Sequence, residues 1–206
     1  MRRLLAIALA GTVFAAAPAS AQQVFFNDWE STDFGASPGF TIIPDYEGWT
    51  RTGGDGSGIE IQYNGVAGSP FSGENLVELD ANGNIVMSRA IDAGRYELSF
   101  YYSDRPNVAA ASNGLSVLLN GTSILDIAGG DGASNTVWTL RSVVFSAGAG
   151  STLSFAGTGI SDGLGSYIDD VSLAVVPEPA TWGLMIGGIG AVGGSLRRRK
   201  AALAHA

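Results

Sequence analysis

The sequence contains no cysteine, which excludes a disulfide framework, a thiolate metal site and a cysteine nucleophile. Its one histidine, His205, stands at the far C-terminal end, so neither a Ser-His-Asp triad nor an imidazole metal site can be built within residues 22–176. Cations are scarce as well. Of 11 Lys and Arg residues, Arg2, Arg3, Arg197, Arg198, Arg199 and Lys200 lie at the two ends. Only Arg51, Arg89, Arg95, Arg105 and Arg141 remain between Gln22 and Val176, against every carboxylate but Glu178: 5 against 18, a net −13. Such a body repels nucleic acid and anionic membrane surfaces, because neutralising phosphates takes clustered Lys and Arg. A G-x-S-x-G elbow, a phosphate-binding loop and a dinucleotide fingerprint are all missing. So is convincing helical periodicity from about Val24 to Val175.

What is present begins with MRRLLAIALAGTVFAAAPASA: a cationic start, an apolar stretch from Leu4 to about Ala17, and Ala19-Ser20-Ala21 ahead of Gln22. That is the pattern of a secretory signal peptide over residues 1–21, removed by signal peptidase, and it marks an exported protein. The body then alternates. In Arg95–Tyr102, Tyr96, Leu98, Phe100 and Tyr102 share one face while Glu97, Ser99 and Tyr101 share the other. In Ser166–Val176 the same period groups Tyr167, Asp169, Val171, Leu173 and Val175. Gly114–Leu119 and Ser151–Phe155 are further segments of this kind. Turn pairs such as Asp55-Gly56, Asn64-Gly65, Asn82-Gly83, Asn120-Gly121 and Asp162-Gly163 punctuate the body, because Asn, Asp and Gly tolerate positive φ. Roughly eight to ten half-buried antiparallel strands are expected, an all-β jelly-roll sandwich over residues 22–175.

GW (Gly48-Trp49), Gly58–Asn84, AGRYELSFYYSDR (Ala93–Arg105), Trp138 with Phe145, LSFAGTG (Leu153–Gly159) and YIDDVSL (Tyr167–Leu173) together resemble bacterial galactose-binding-like jelly-roll domains. The resemblance implies a β-sandwich related in fold to carbohydrate-binding modules, with a structural calcium in many relatives and glycan binding in some. Calcium takes six to eight oxygens, which an acidic chain supplies. The resemblance places an acid at the start of the last strand, here Asp169, with a residue near the first strand, here Glu30, as its ligands. A backbone-capped Asp169 and a solvated Glu30 are the alternative. The first strand departs from the usual pattern, with Trp29-Glu30 where Phe-Glu is common.

A glycan site would offer aromatic rings as flat apolar platforms beside polar groups. The candidates are Trp49, Tyr101 and Trp138, also Tyr63, with Asp104 and Arg105 as polar partners. Tyr101 stands out because alternation turns it away from its core-facing neighbours. The alternative for each ring is packing in the core or on the sheet. A glycosidase needs only two carboxylates, so a secreted glycan-active hydrolase is a second reading, and an adhesive or surface-layer protein without a sugar site a third. The sequence favours a protein that is not an enzyme.

The C-terminal part, residues 176–206, holds an apolar run at about Ala180–Leu196 that contains six glycines, lies at the lower edge for a membrane span and is expected as a single transmembrane helix. It stops at Arg197–Lys200, which the positive-inside rule keeps on the cytoplasmic side. Pro177-Glu178-Pro179, then Trp182, the glycine-rich run and Arg197, Arg198 and Arg199 resemble the PEP-CTERM sorting domain of the PEP-x-x-W type. The resemblance implies recognition by a membrane-embedded exosortase, transient residence in the inner membrane, cleavage near the Pro-Glu-Pro, and a host that makes exopolysaccharide. An ordinary uncut anchor is the alternative. The expectation is an exported cell-surface or extracellular-matrix protein with a structural or glycan-binding sandwich, exopolysaccharide as a partner, and no partnership with nucleic acid.

Overall fold

Segments that alternate apolar and polar residues, broken at Asn-Gly and Asp-Gly pairs, bury their apolar side best as strands paired through tight turns. The computed structural model describes residues 22–53, 58–80 and 86–176, together with 187, 188 and 190. The chain divides into residues 21–176 and a second unit made of its ends, 1–20 and 177–206. The signal peptide expected at 1–21 lies outside the described residues. So do Pro177, Glu178, Pro179, Trp182, Arg197, Arg198 and Arg199, and the turns at Asp55-Gly56 and Asn82-Gly83. The transmembrane helix expected at about 180–196 lies outside the described residues except for 187, 188 and 190, which are helical; among the described residues no helix is long and apolar enough to cross a membrane.

The unit 21–176 is all-β. Its strands are β1 (Gln22–Asn27), β2 (Gly39–Ile43), β3 (Asp45–Tyr46), β4 (Trp49–Arg51), β5 (Ile59–Tyr63), β6 (Asn75–Asp80) and β7 (Val86–Ile91). They continue as β8 (Gly94–Ser103), β9 (Gly114–Leu119), β10 (Thr122–Ala128), β11 (Thr139–Ala147), β12 (Ser151–Gly157) and β13 (Gly165–Val175). One sheet has the order β11-β8-β13-β6-β5-β2, with β1 also pairing β13. The other runs β10-β9-β12-β7-β4-β3, and all the pairings are antiparallel. Asn120-Gly121 closes the β9–β10 hairpin with φ of 52° and 79°, the doubly positive turn that matches strand twist.

The inner faces of the two sheets meet in one aromatic-rich core, giving the expected sandwich. Trp49 is fully buried, its ring centroid 5.3 Å from Phe155 and 5.8 Å from Phe25, and Phe100 meets Phe155 edge-on at 5.0 Å. Burying each such ring contributes about 1.5–3 kcal/mol. Tyr96, Leu98, Phe100 and Tyr102 of β8 point into this core, as their alternation requires.

In β13 the simple alternation fails. Ile168 pairs with core-facing Tyr102 and Asp169 with outward Tyr101, but beyond a bulge Ser172 pairs with Ser99 and Leu173 with core-facing Leu98. Asp170 adopts φ 48° at the bulge. The extra residue reverses the phase. Asp169 and Tyr167 therefore lie on the outer face, opposite Val171 and Leu173, which corrects the single face expected for all four. Both are nevertheless completely buried, as the outer face of this sheet is partly roofed by the segment between β5 and β6. A Cβ added at Gly68 in that roof would fall 3.1 Å from the Tyr167 ring.

Candidate functional site

The outer face of the larger sheet carries a group of polar and aromatic side chains. On β8 and β11, Tyr101 stands across from Leu140, and Trp138 lies just ahead of β11. Phe71, from the roofing segment, stacks on Tyr101 with centroids 3.4 Å apart and planes 15° from parallel. Trp138 meets Phe71 nearly edge-on at 6.3 Å and 75°. The three rings make a ledge whose outward members are exposed: Phe71 at 39%, beside Leu140 at 57% and Val137 at 65%. Trp138 Nε1 donates to the Ser69 carbonyl at 3.0 Å, and Thr136 Oγ1 donates to the same oxygen at 2.7 Å.

Three carboxylates hold the segment that presents Phe71. Asp169 Oδ2 accepts the backbone N–H of Phe71 at 2.8 Å and of Ser72 at 3.2 Å, while Oδ1 accepts that of Asp170 at 2.7 Å. Asp170 Oδ1 accepts from Ser72 Oγ at 2.7 Å. Glu30 Oε1 accepts the amides of Glu74 at 2.9 Å and Asn75 at 2.7 Å. Between these holds, Gly73 sits at φ 58° against Glu30, where a Cβ would collide with the carboxylate. Burial pushes the Asp169 carboxyl up to about 7, although the amides of Ser72, Asp170 and Phe71 pull the other way.

Beside the ledge lies an open cleft of about 550 Å³, lined by Gly65–Ser69, Arg105–Val108, Ser134, Asn135 and Leu164. Arg105 is its one charged lining residue. The guanidinium is anchored from behind, Nη1 donating to Glu78 Oε1, which also accepts the Gly165 amide at 2.8 Å. Gln62 Nε2 donates to Glu78 Oε2 and to Glu60 Oε1, and Tyr167 Oη donates to Gln62 Oε1 at 3.0 Å. Burial first, and neighbouring Glu60 next, hold the Glu78 carboxyl well above the ordinary range despite Arg105. Glu60, at 7% exposure, and Glu78, at 0%, lie beneath the cleft rather than in its wall.

The residues singled out from sequence separate clearly. Tyr101 and Trp138 come together, and Arg105 lines the cleft beside them. Asp104 is turned elsewhere: its Oδ1 accepts from Tyr102 Oη at 2.6 Å and from the Gly130 amide at 3.0 Å, and it borders a smaller hollow of about 280 Å³. Trp49 offers no face to a ligand, being enclosed in the core with Nε1 on Asn27 Oδ1 at 3.0 Å. Tyr63 stacks on Phe34 at 5.2 Å. Phe71 escaped the sequence reading because no period marks a loop residue. Its one signal is a lone aromatic in the small, polar run Ser69–Gly73. Glu60, Gln62 and Glu78 were also missed, though each alternates with core-facing aliphatic residues.

Glu30, expected as a cation ligand, lies among backbone carbonyls and the Asn75 amide. Asn75 Nδ2, with two hydrogens, faces three oxygens: Trp29 O at 2.8 Å, Glu30 Oε2 at 3.3 Å and Thr32 O at 3.4 Å. Asn and Gln amides can be reversed without changing shape, which here would turn a fourth oxygen inward. Asp169 fits a cation less well, since backbone amides occupy both its oxygens, whereas Glu30 Oε2 meets only the reversible Asn75 side chain. Among the described residues no three acidic or imidazole side chains converge, so backbone and amide oxygens would have to complete a shell.

Residues 175–200 match the PEP-CTERM protein-sorting motif. That motif marks an exported protein that exosortase processes after passage through the membrane. No curated protein matches the chain. Among solved structures, the K2 cleaved adhesin domain of Lys-gingipain is similar at TM-score 0.53 and 18% identity, covering 72% of this chain and 96% of that one. The K1 adhesin domain of Lys-gingipain from Porphyromonas gingivalis W83 reaches 0.53 at 14% identity, over 68% and 99%. The Stig cyclase Fisc from Fischerella sp. TAU reaches 0.54 at 14% identity, over 77% and 99%. These likenesses show a shared fold.

Proposed function

We propose that this is a cell-surface or extracellular-matrix protein whose sandwich binds a glycan of its surroundings through the Phe71–Tyr101–Trp138 ledge. The observation that carries the reading is the ledge itself: rings from one strand, the approach to another and a clamped loop, held by hydrogen bonds and left partly exposed. Stacked rings suit the apolar face of a sugar, and the adjoining cleft supplies Arg105, Asn107, Ser134 and Asn135 for its hydroxyls or carboxylates. The burial of Glu60 and Glu78 favours a binding module over a hydrolase, which needs its two carboxylates on either side of the scissile bond. An adhesive role without a sugar is the second reading, favoured by the fold shared with the gingipain adhesin domains.

A glycan array probed with the mature protein separates the two. Retention of one polysaccharide class, weakened at least about tenfold by Phe71→Ala or Trp138→Ala, is expected from a ledge that supplies about 1.4 kcal/mol or more per ring. Retention nowhere on the array would overturn the glycan reading.

We also propose one structural calcium at Glu30, with the carbonyls of Trp29 and Thr32 and a reversed Asn75 amide. The crowding of three acceptors on one amide nitrogen supports it. Melting with calcium and with chelator tests it. A Tm raised by calcium in the native protein, and unmoved in Glu30→Gln, is expected; identical curves for the native protein contradict it.

A further inference from the structure

The sorting motif begins at Val175, the last residue of β13. Val175 pairs Gln22 on one side and Tyr96 on the other, so it lies inside the sheet rather than on a tether. The next residue is held too, the Val176 amide donating to the Arg95 carbonyl at 2.9 Å. Pro177 follows at once and has no N–H with which to extend the ladder. No linker separates the folded strand from the Pro-Glu-Pro. The other end is equally close: the expected signal-peptide cut falls between Ala21 and Gln22, and β1 begins at Gln22.

A protease binds its substrate as an extended segment, pairing with backbone groups on both sides of the bond it cuts. At Val175 and Val176 those groups already face β1, β8 and Arg95. We propose that the sorting protease takes the end of β13 as that extended segment, so the β1–β13 seam must open at Gln22–Val175, and the end of β13 must leave Arg95 and Tyr96 of β8, before the tail is removed. The seam is suited to it. Gln22 and Gln23 are exposed, Ala174, Val175 and Val176 only half-buried, and the first strongly buried pair inward is Phe25 with Leu173. Two or three residues can therefore part, and of these Val175 alone packs against the core. The cut is a hydrolysis: one peptide C–N bond breaks, water gives its hydroxyl to the acyl carbon, and the leaving amine takes the proton. This chain contributes no group to that step; it contributes access. Closure of the seam afterwards locks the new C-terminus beside the new N-terminus.

The inference rests on exosortase sorting and is independent of the glycan ledge. The absence of cysteine provides the test, since Gln23→Cys and Ala174→Cys face each other across the seam and have no other partner. The full chain is expressed in an exosortase-bearing host, and intact mass reads the processed fraction. In the oxidised double variant processing is expected to fall at least about tenfold, while each single variant is processed normally. Inserting eight Gly/Ser residues between Val176 and Pro177 of the cross-linked chain should restore it. Equal processing of cross-linked and native chains overturns the proposal. Should the double variant not accumulate, the insertion alone decides: faster loss of the tail supports the proposal and an unchanged rate overturns it. If the native chain itself keeps its tail, the sorting reading falls and the seam proposal with it.

Discussion

Arg105 shows how one side chain can serve the interior and the surface together. Its guanidinium answers Glu78, a carboxylate with no exposure, while its outward edge lines the cleft. Removing one partner of a buried pair strands the other, which typically costs about 3–5 kcal/mol. Arg105→Met should therefore lower Tm sharply, and adding Glu78→Gln should recover most of the loss, since the burial of a neutral amide does not require a countercharge. Chemical denaturation of the two variants checks this; a double variant no more stable than the single would contradict the pairing. At this scale the sequence was only partly legible. Tyr101 could be read as outward from its period, and Trp138 as an aromatic worth watching, because strand alternation and residue type are local properties. Phe71 and Trp49 could not: whether a ring in a loop or short strand is covered depends on what the rest of the chain brings to it.

Among the elements, β13 carries the most. It is the spine of the larger sheet, pairing β6 with its first half, β1 with its second and β8 with both. Its bulge at Asp169–Ser172 turns Asp169 outward beneath the roofing segment, where it can grip the amides that position Phe71. One inserted residue is invisible to a count of period two, so the strand was legible and its facing was not. The two- and three-residue strands β3 and β4 are likewise too short to show a period. The outward acid has a consequence for pH. A carboxyl raised to about 7 in the folded chain binds more protons there than in the unfolded chain, from about pH 4 upward. Stability from this group is full below the ordinary carboxylate pKa and is lost as pH rises through about 7. Tm should accordingly fall between pH 5 and pH 8, at most at about 1.4 kcal/mol per pH unit from this group. Asp169→Asn should flatten that decline while lowering Tm at pH 5. A native Tm that rises across this range would contradict the assignment.

Taken whole, the molecule is an acidic sandwich whose sequence states its destination more plainly than its task. The sorting motif is a linear signal with a fixed order of residue types, and so is readable without a fold. A binding ledge is assembled from β8, the approach to β11 and the segment before β6, which only tertiary structure brings together. Cations are scarce in the body, and Arg105 is the one charged residue that lines the cleft at the candidate site. Tryptophan placement makes that site observable. Trp29 and Trp49 are fully buried, Trp182 leaves with the tail if the chain is cut near Pro-Glu-Pro, and Trp138 stands at the ledge. The most direct measurement is a titration of the mature protein's tryptophan emission with polysaccharide extracted from the host's own matrix. A saturable change that Trp138→Phe abolishes, and that Phe71→Ala shifts to at least about tenfold higher concentration, is the result expected of a glycan-binding ledge. No saturable change, or one that survives intact in both variants, would contradict it.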